Sequence, residues 1–121
     1  MRLGEIAKEA FEGASANGWH DPIIDEHGIL RLTSTFERLG LVHSEVSEAY
    51  EAFRKHGTKG WYGPDDKPEG MESELADVII RVCELAYFFY PQYDLDVAVA
   101  NKMKYNATRL DIPNKEGGKA I

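Results

Sequence analysis

The stretch that decides the fold is EVSEAYEAFRKHGTKGWYGPDDKPEGMESELAD, residues 45–77. It contains two acidic pairs, Glu45/Glu48 and Glu74/Asp77, and each pair lies in a segment with the apolar spacing of an amphipathic helix. Residues three apart project from one face of a helix, so each helix presents two carboxylates together. A segment rich in glycine and proline separates the pairs and allows the second helix to fold back on the first. We therefore expect the four carboxylates to converge.

Convergent carboxylates predict a metal site. Unpaired anions held close together repel and raise one another's pKa. Mg²⁺ and related hard cations bind carboxylate oxygens and water, so a bound cation removes this repulsion. The alternative is a solvated acidic face, because the same spacing recurs elsewhere in this acidic chain, for example at Glu9 and Glu12. Both pairs lie beside apolar stripes rather than opposite them, which favours the metal site.

Three phrases of the sequence carry a family resemblance. They are LVHSEVSEAYEAFRKHG at residues 41–57, ESELADVIIRV at 72–82 and NKMKYNATR at 101–109. Their order, Glu-x-x-Glu, a loop and then Glu-x-x-Asp, resembles that of the MazG-like all-α nucleoside triphosphate pyrophosphohydrolases. The resemblance covers about residues 36–109 and implies an all-α fold, a four-helix bundle assembled as an oligomer.

The resemblance also implies roles for the acidic pairs. The residues that would hold one or more Mg²⁺ ions, with Mn²⁺ as a substitute, are Glu45, Glu48, Glu74 and Asp77. Glu45 or Glu48 would orient or deprotonate the attacking water. Some relatives carry a further Glu directly before the first pair, where this chain has Ser44, so the identity of the general base stays open.

Substrate-binding residues are expected in two other places. Lys102, Asn106 and Arg109 lie at four- and three-residue steps, so they share one helix face, which is either a solvated basic face or a phosphate site. By resemblance, the two cations would neutralise the triphosphate and the amide would donate to a phosphate or sugar oxygen. Trp19 either plugs one end of the bundle or stacks on the nucleobase.

The expected reaction is the hydrolysis of a nucleoside or deoxynucleoside triphosphate between its α and β phosphates. Such an enzyme releases a monophosphate and pyrophosphate, and the family implies a house-cleaning role in the nucleotide pool. Two alternatives remain. One is an enzyme like phosphoribosyl-ATP pyrophosphohydrolase, and the other is a non-catalytic helical interaction module with an acidic surface.

Length and charge limit the remaining possibilities. The 121 residues predict a single domain, with a mobile tail from about residue 110, and the resemblance implies that it is a MazG-like helical domain. Fourteen Lys and Arg against 21 Asp and Glu give a net charge of −7, which argues against a nucleic-acid polymer or an anionic membrane as partner. The single cysteine, Cys83, excludes an internal disulfide and suits the cytoplasm, and we expect it to be buried.

Periodicity predicts four helices and two irregular connections. The helices are expected at 2–17, 34–55, from 70–73 to 90, and 94–109, with a loop at 23–32 and a flexible flap at 58–68. His43 is expected to be a hydrogen-bonded core residue. The third helix is apolar around most of its circumference, yet it contains Arg81 and Glu84 and is too short to cross a bilayer. One chain cannot cover that helix, so we expect an oligomer, and the resemblance implies a homodimer or homotetramer.

Overall fold

The computed structural model describes residues 2–17, 23–24, 26–27, 30–31 and 35–109. The helices in these ranges are α1 (Leu3–Ala16), α2 (Thr35–His56), α3 (Met71–Tyr87) and α4 (Leu95–Thr108). Two short antiparallel hairpins pair β1 (Ile23–Ile24) with β2 (Leu30–Arg31) and β3 (Trp61–Tyr62) with β4 (Pro68–Glu69). The chain is mostly helical, in agreement with the predicted all-α class. The predictions for the start of the second helix at residue 34, for Trp19 and for the tail from about residue 110 concern positions outside the described residues.

The connection between α2 and α3, predicted to be a flexible flap, contains a paired hairpin. Trp61 is opposite Glu69, and a 3-10 turn at Pro64–Asp66 joins the strands. Gly70 ends the hairpin with a φ of 110°, and a Cβ there would lie 2.7 Å from the backbone oxygen of Lys59, so only glycine fits. The hairpin returns the chain so that the start of α3 lies beside α2.

Helix α3 is the centre of the domain, because α2 and α1 both pack extensively against it. The buried apolar residues of the described part are small, namely Ala7, Ala49, Cys83 and Ala86. Small side chains let the helix backbones approach closely. The predicted burial of Cys83 is confirmed.

Helix α4 is fixed mainly at its first turn. Asp94 caps it, since its side chain accepts a hydrogen bond from the Val97 amide at 3.2 Å. Asp96 accepts hydrogen bonds from the Leu3 and Gly4 amides at 2.9 and 3.0 Å, which joins the starts of α4 and α1. The rest of α4 contains no buried residue.

Large apolar side chains are exposed on three helices. They include Phe36, Val46 and Phe53 on α2, Leu75, Ile79 and Ile80 on α3, and Val97, Val99 and Met103 on α4. Among the described residues, no helix has the length and apolar character needed to span a membrane.

Candidate metal centre

Three acidic side chains from two helices meet where the hairpin brings the start of α3 beside α2. Glu45 and Glu48 lie one turn apart on α2, and Glu74 lies in the first turn of α3. One carboxylate oxygen from each lies within 4.8 Å of the others. We call these three residues the acidic cluster. The predicted convergence is therefore found for three of the four carboxylates.

Asp77, the fourth predicted ligand, lies one turn after Glu74 and outside this group of three. Its negative charge still contributes to raising the pKa of Glu45 and of Glu74. Asp77 is thus a flanking carboxylate, close enough to interact with the acidic cluster through its charge.

Glu45 is the buried member of the acidic cluster, with only 8% of its surface exposed. Its Oε1 accepts a hydrogen bond from Nε of Arg81 at 3.2 Å, whereas its Oε2 is buried and has no hydrogen-bond partner. Burial raises the pKa of Glu45, the neighbouring Glu48 carboxylate raises it further, and Arg81 acts in the opposite direction. When Glu45 and Glu48 are both ionised, neither can donate to the other, so Oε2 stays unsatisfied. Such an atom destabilises the fold unless a donor or a cation reaches it.

Glu74 and Glu48 extend the acidic cluster toward solvent. The pKa of Glu74 is raised by burial first and then by the Glu48 carboxylate. Glu48 itself is exposed. The acidic cluster therefore has a buried end at Glu45 and an open end at Glu48, from which water and a ligand can enter.

These residues fit a hard divalent cation. Carboxylate oxygens are the donors that Mg²⁺ and Mn²⁺ prefer, and Mg²⁺ usually keeps several waters, which the open end of the acidic cluster allows. The unpartnered Oε2 of Glu45 supplies a buried donor that the protein itself does not satisfy. In the described residues no histidine joins the three carboxylates.

His43 is exposed, and the prediction that it belongs to the core is wrong. It lies two residues before Glu45 in α2. Two residues turn a helix by more than half a circle, so these two side chains point in nearly opposite directions. The burial of Glu45 therefore directs His43 toward solvent.

Arg81 is the residue of this site that the sequence analysis did not select. In the sequence Arg81 is one of two charges, with Glu84, within an apolar helix. A pattern that could have found it is its position four residues after Asp77 and seven after Glu74, which places all three on one face of α3. An arginine on the acidic face of a helix is a natural partner for carboxylates on the helix packed against it.

A second arginine–glutamate pair joins α2 and α3 further from the hairpin. Nη1 of Arg38 lies 3.6 Å from Oε1 of Glu84, and their side chains are only 12% and 10% exposed. The guanidinium of Arg38 also lies 4.0 Å from the centre of the Phe88 ring. Glu84 does not belong to the acidic cluster.

Two of the predicted phosphate-binding residues, Lys102 and Asn106, lie on α4, whereas Arg109 follows its last residue with an extended backbone. The charged groups of Lys102 and Arg109 lie 5.7 and 5.9 Å from the centre of the Tyr105 ring. Lys102 is exposed, and Asn106 and Arg109 are half-buried. Within the described residues α4 packs only lightly, mainly against α1, so the site role of these three stays a prediction.

A separate cavity of about 460 Å³ lies at the other end of α3. It is lined by residues of α1, by Tyr87, Tyr90 and Tyr93, and by the start of α4. Tyr87 is 13 residues after Glu74, which corresponds to about 20 Å along a helix. The cavity contains no residue that the sequence predicted for the site.

Comparison with known proteins adds no identification. No family model, curated protein or solved structure matches this chain. The MazG-like resemblance therefore stays a prediction from three phrases of sequence, and the function has to be argued from the acidic cluster itself.

Proposed function

We propose that this protein is a Mg²⁺-dependent nucleoside triphosphate pyrophosphohydrolase that cleaves between the α and β phosphates. The observation that supports it best is the acidic cluster, in which three carboxylates from two helices lie within 4.8 Å and one buried oxygen has no partner. A helical protein that keeps like charges this close without a cation loses folding free energy. Cation binding offsets that loss.

The carboxylates of the acidic cluster divide into a buried anchor for the cation and ligands nearer to solvent. Glu45 is the anchor, because it is buried and held by Arg81. Glu74 and Glu48 complete the ligand set, and Asp77 adds negative charge beside them. A bound Mg²⁺ would neutralise charge on the phosphates and favour deprotonation of a bound water.

Glu48 is the best candidate for the general base, since it is the exposed member of the acidic cluster. It would accept a proton from the water whose oxygen attacks the α-phosphorus. The bond from that phosphorus to the α–β bridging oxygen then breaks, and pyrophosphate leaves with the bridging oxygen. Ser44 does not replace the missing Glu, because its hydroxyl donates to the backbone oxygen of Leu41 at 2.8 Å.

We assign the triphosphate to Lys102 of α4 and to Arg109, which directly follows α4, with Asn106 between them in the sequence. Both charged side chains lie near the Tyr105 ring, at 5.7 and 5.9 Å from its centre. They supply the local positive charge that a protein of net charge −7 needs for an anionic substrate.

We also propose that the protein works as a homodimer or homotetramer. Apolar side chains on α2, α3 and α4 are exposed in the single chain, and α4 has no buried residue of its own. Exposed apolar patches of this kind are uncommon on soluble monomers, and a two-fold interface would cover them on both copies at once.

Pyrophosphate release from a panel of nucleotides tests the proposal. The panel contains the common ribo- and deoxyribonucleoside triphosphates and phosphoribosyl-ATP, each with Mg²⁺, with Mn²⁺ and with EDTA. We expect release that requires the cation and is faster for a nucleoside triphosphate than for phosphoribosyl-ATP. No release from any nucleotide, together with no stabilisation by Mg²⁺, would instead identify a non-catalytic module.

A further inference from the structure

We propose that Arg81 is a positioning residue for the divalent cation, because it holds Glu45 by one carboxylate oxygen and leaves the other oxygen for the cation. This role presupposes the cation-dependent function proposed above. It concerns a residue to which the sequence motifs assigned no role.

The geometry around Glu45 supports this role. Nε of Arg81 donates to Oε1 at 3.2 Å, and the two side chains are only 24% and 10% exposed. A carboxylate is planar, so a hydrogen bond that fixes one oxygen also limits where the other can point. That other oxygen, Oε2, is buried and has no partner. Arg81 therefore preorganises a single donor atom at the buried end of the acidic cluster.

A guanidinium beside a cation site has two opposing effects. Its positive charge repels the cation, whereas its hydrogen bond orients the ligand. If charge dominated, removing Arg81 would tighten cation binding. If orientation dominates, as for partners that orient metal ligands in other proteins, removing it weakens binding. The direction of the change in affinity therefore separates the two roles.

Arg38 provides a matched control within the same interface. It too reaches across from one of the two helices to a buried glutamate on the other, but that glutamate, Glu84, lies outside the acidic cluster. A merely structural arginine–glutamate pair should affect stability and leave cation affinity unchanged. Arg54, which pairs with Glu51 on the surface of α2, controls for the loss of a positive charge alone.

The experiment is a calorimetric titration of the full chain with Mn²⁺, without nucleotide. We compare the wild type with Arg81→Gln, Arg81→Lys, Arg38→Gln and Arg54→Gln, and we check the helical content of each by circular dichroism. We expect Arg81→Gln to lose about 10–100-fold in Mn²⁺ affinity. The Mn²⁺ affinity of Arg81→Lys should lie between those of the wild type and Arg81→Gln, since an ammonium keeps the charge without the planar donor geometry. Both control variants should bind Mn²⁺ as the wild type does.

Equal or tighter Mn²⁺ binding by folded Arg81→Gln would overturn the role of Arg81 and leave the proposed function standing. Should Arg81→Gln fail to fold, wild-type affinity in Arg81→Lys would overturn it in the same way. A wild type that binds no Mn²⁺ would refute the proposed function, and the role of Arg81 with it.

Discussion

Glu45 and Glu84 are the two buried carboxylates of the described residues, and each faces an arginine across the interface of α2 and α3. The pairing is reciprocal, because Glu45 of α2 faces Arg81 of α3, whereas Glu84 of α3 faces Arg38 of α2. The two pairs thus share the same residue types, the same two helices and similar burial. What differs is the surroundings of each pair.

At Glu84 the arginine also lies against the Phe88 ring. At Glu45 two further carboxylates, Glu48 and Glu74, come within 4.8 Å, and one oxygen of Glu45 has no partner. One positive charge can balance one buried carboxylate, but it cannot balance three. The comparison teaches that a buried arginine–glutamate pair is sufficient for joining the helices, and that the additional carboxylates at Glu45 need another explanation, for which we propose a bound cation.

The largest expected effect is on catalysis at the acidic cluster. Glu48→Gln removes the exposed carboxylate that we assign as general base, so kcat should fall by about 10²–10⁴-fold. The matched control is Glu51→Gln, three residues further along α2, where the carboxylate pairs with Arg54 on the surface. Pyrophosphate release at saturating Mg²⁺ measures both. Similar rates for the two variants would remove Glu48 from the mechanism.

Breaking the other pair should affect stability instead. Arg38→Met removes the guanidinium that faces the buried Glu84 carboxylate, and loss of one partner of a buried ion pair typically costs about 3–5 kcal/mol. Urea unfolding in EDTA measures the change in the free energy of unfolding. The double variant Arg38→Met, Glu84→Met should recover most of the loss, because no charge is then left buried. A double variant no more stable than the single one would mean that the pair itself holds the helices together.

Cation binding should stabilise the folded protein through the acidic cluster and not through the pair of Arg38 and Glu84. At a Mg²⁺ concentration about 100-fold above its dissociation constant, linkage predicts a gain of about 2.7 kcal/mol in the free energy of unfolding. Thermal unfolding with Mg²⁺ and with EDTA measures this gain. Glu74→Gln should lose most of it, whereas Glu72→Gln, an exposed neighbour on α3, should keep it. Equal gains in both variants would place the bound cation elsewhere.

Much of the fold follows from local chemistry in the sequence. The helices were predictable because apolar residues recur at helical spacing, and Asp94 was predictable as a cap because its side chain satisfies a free amide at the start of α4. The hairpin was not, since the glycines and prolines around Trp61 indicate a turn without showing which strands pair. Its strands are only two residues long, which is too short for the alternation of apolar and polar residues that marks a strand in a sequence.

The acidic cluster was predictable in part for the same reason. Spacing within one helix places Glu45 beside Glu48, and a turn-rich connection allows Glu74 to approach them. Spacing does not show how the two helices are rotated against each other, and that rotation leaves Asp77 outside the group. It also decides that Arg81 reaches Glu45, a contact between residues 36 positions apart.

The smallest expected effect is a dependence of stability on pH that the acidic cluster causes in the absence of a cation. The pKa values of Glu45 and Glu74 are raised in the folded protein above the value of 4.5 taken for an unperturbed Glu. The folded state therefore binds these protons more tightly than the unfolded state does. Their contribution to stability is fully present below the unfolded pKa and is lost as the pH rises through the folded pKa.

Urea unfolding in EDTA between about pH 4.5 and 7.5 tests whether stability falls as the pH rises. The difference between each variant and the wild type removes the contribution of the other titrating groups. Glu74→Gln, which has no proton to lose at that position, should gain stability relative to the wild type as the pH rises. Glu72→Gln is the control and should follow the wild type. Saturating Mg²⁺ should reverse the trend in the wild type, because the cation binds the deprotonated carboxylates and competes with protons. The prediction would be contradicted if the free energies of unfolding of Glu74→Gln and the wild type differed by a constant amount across this range. The ionised carboxylates would then not destabilise the fold, and the contrast between Glu45 and Glu84 would not require a ligand.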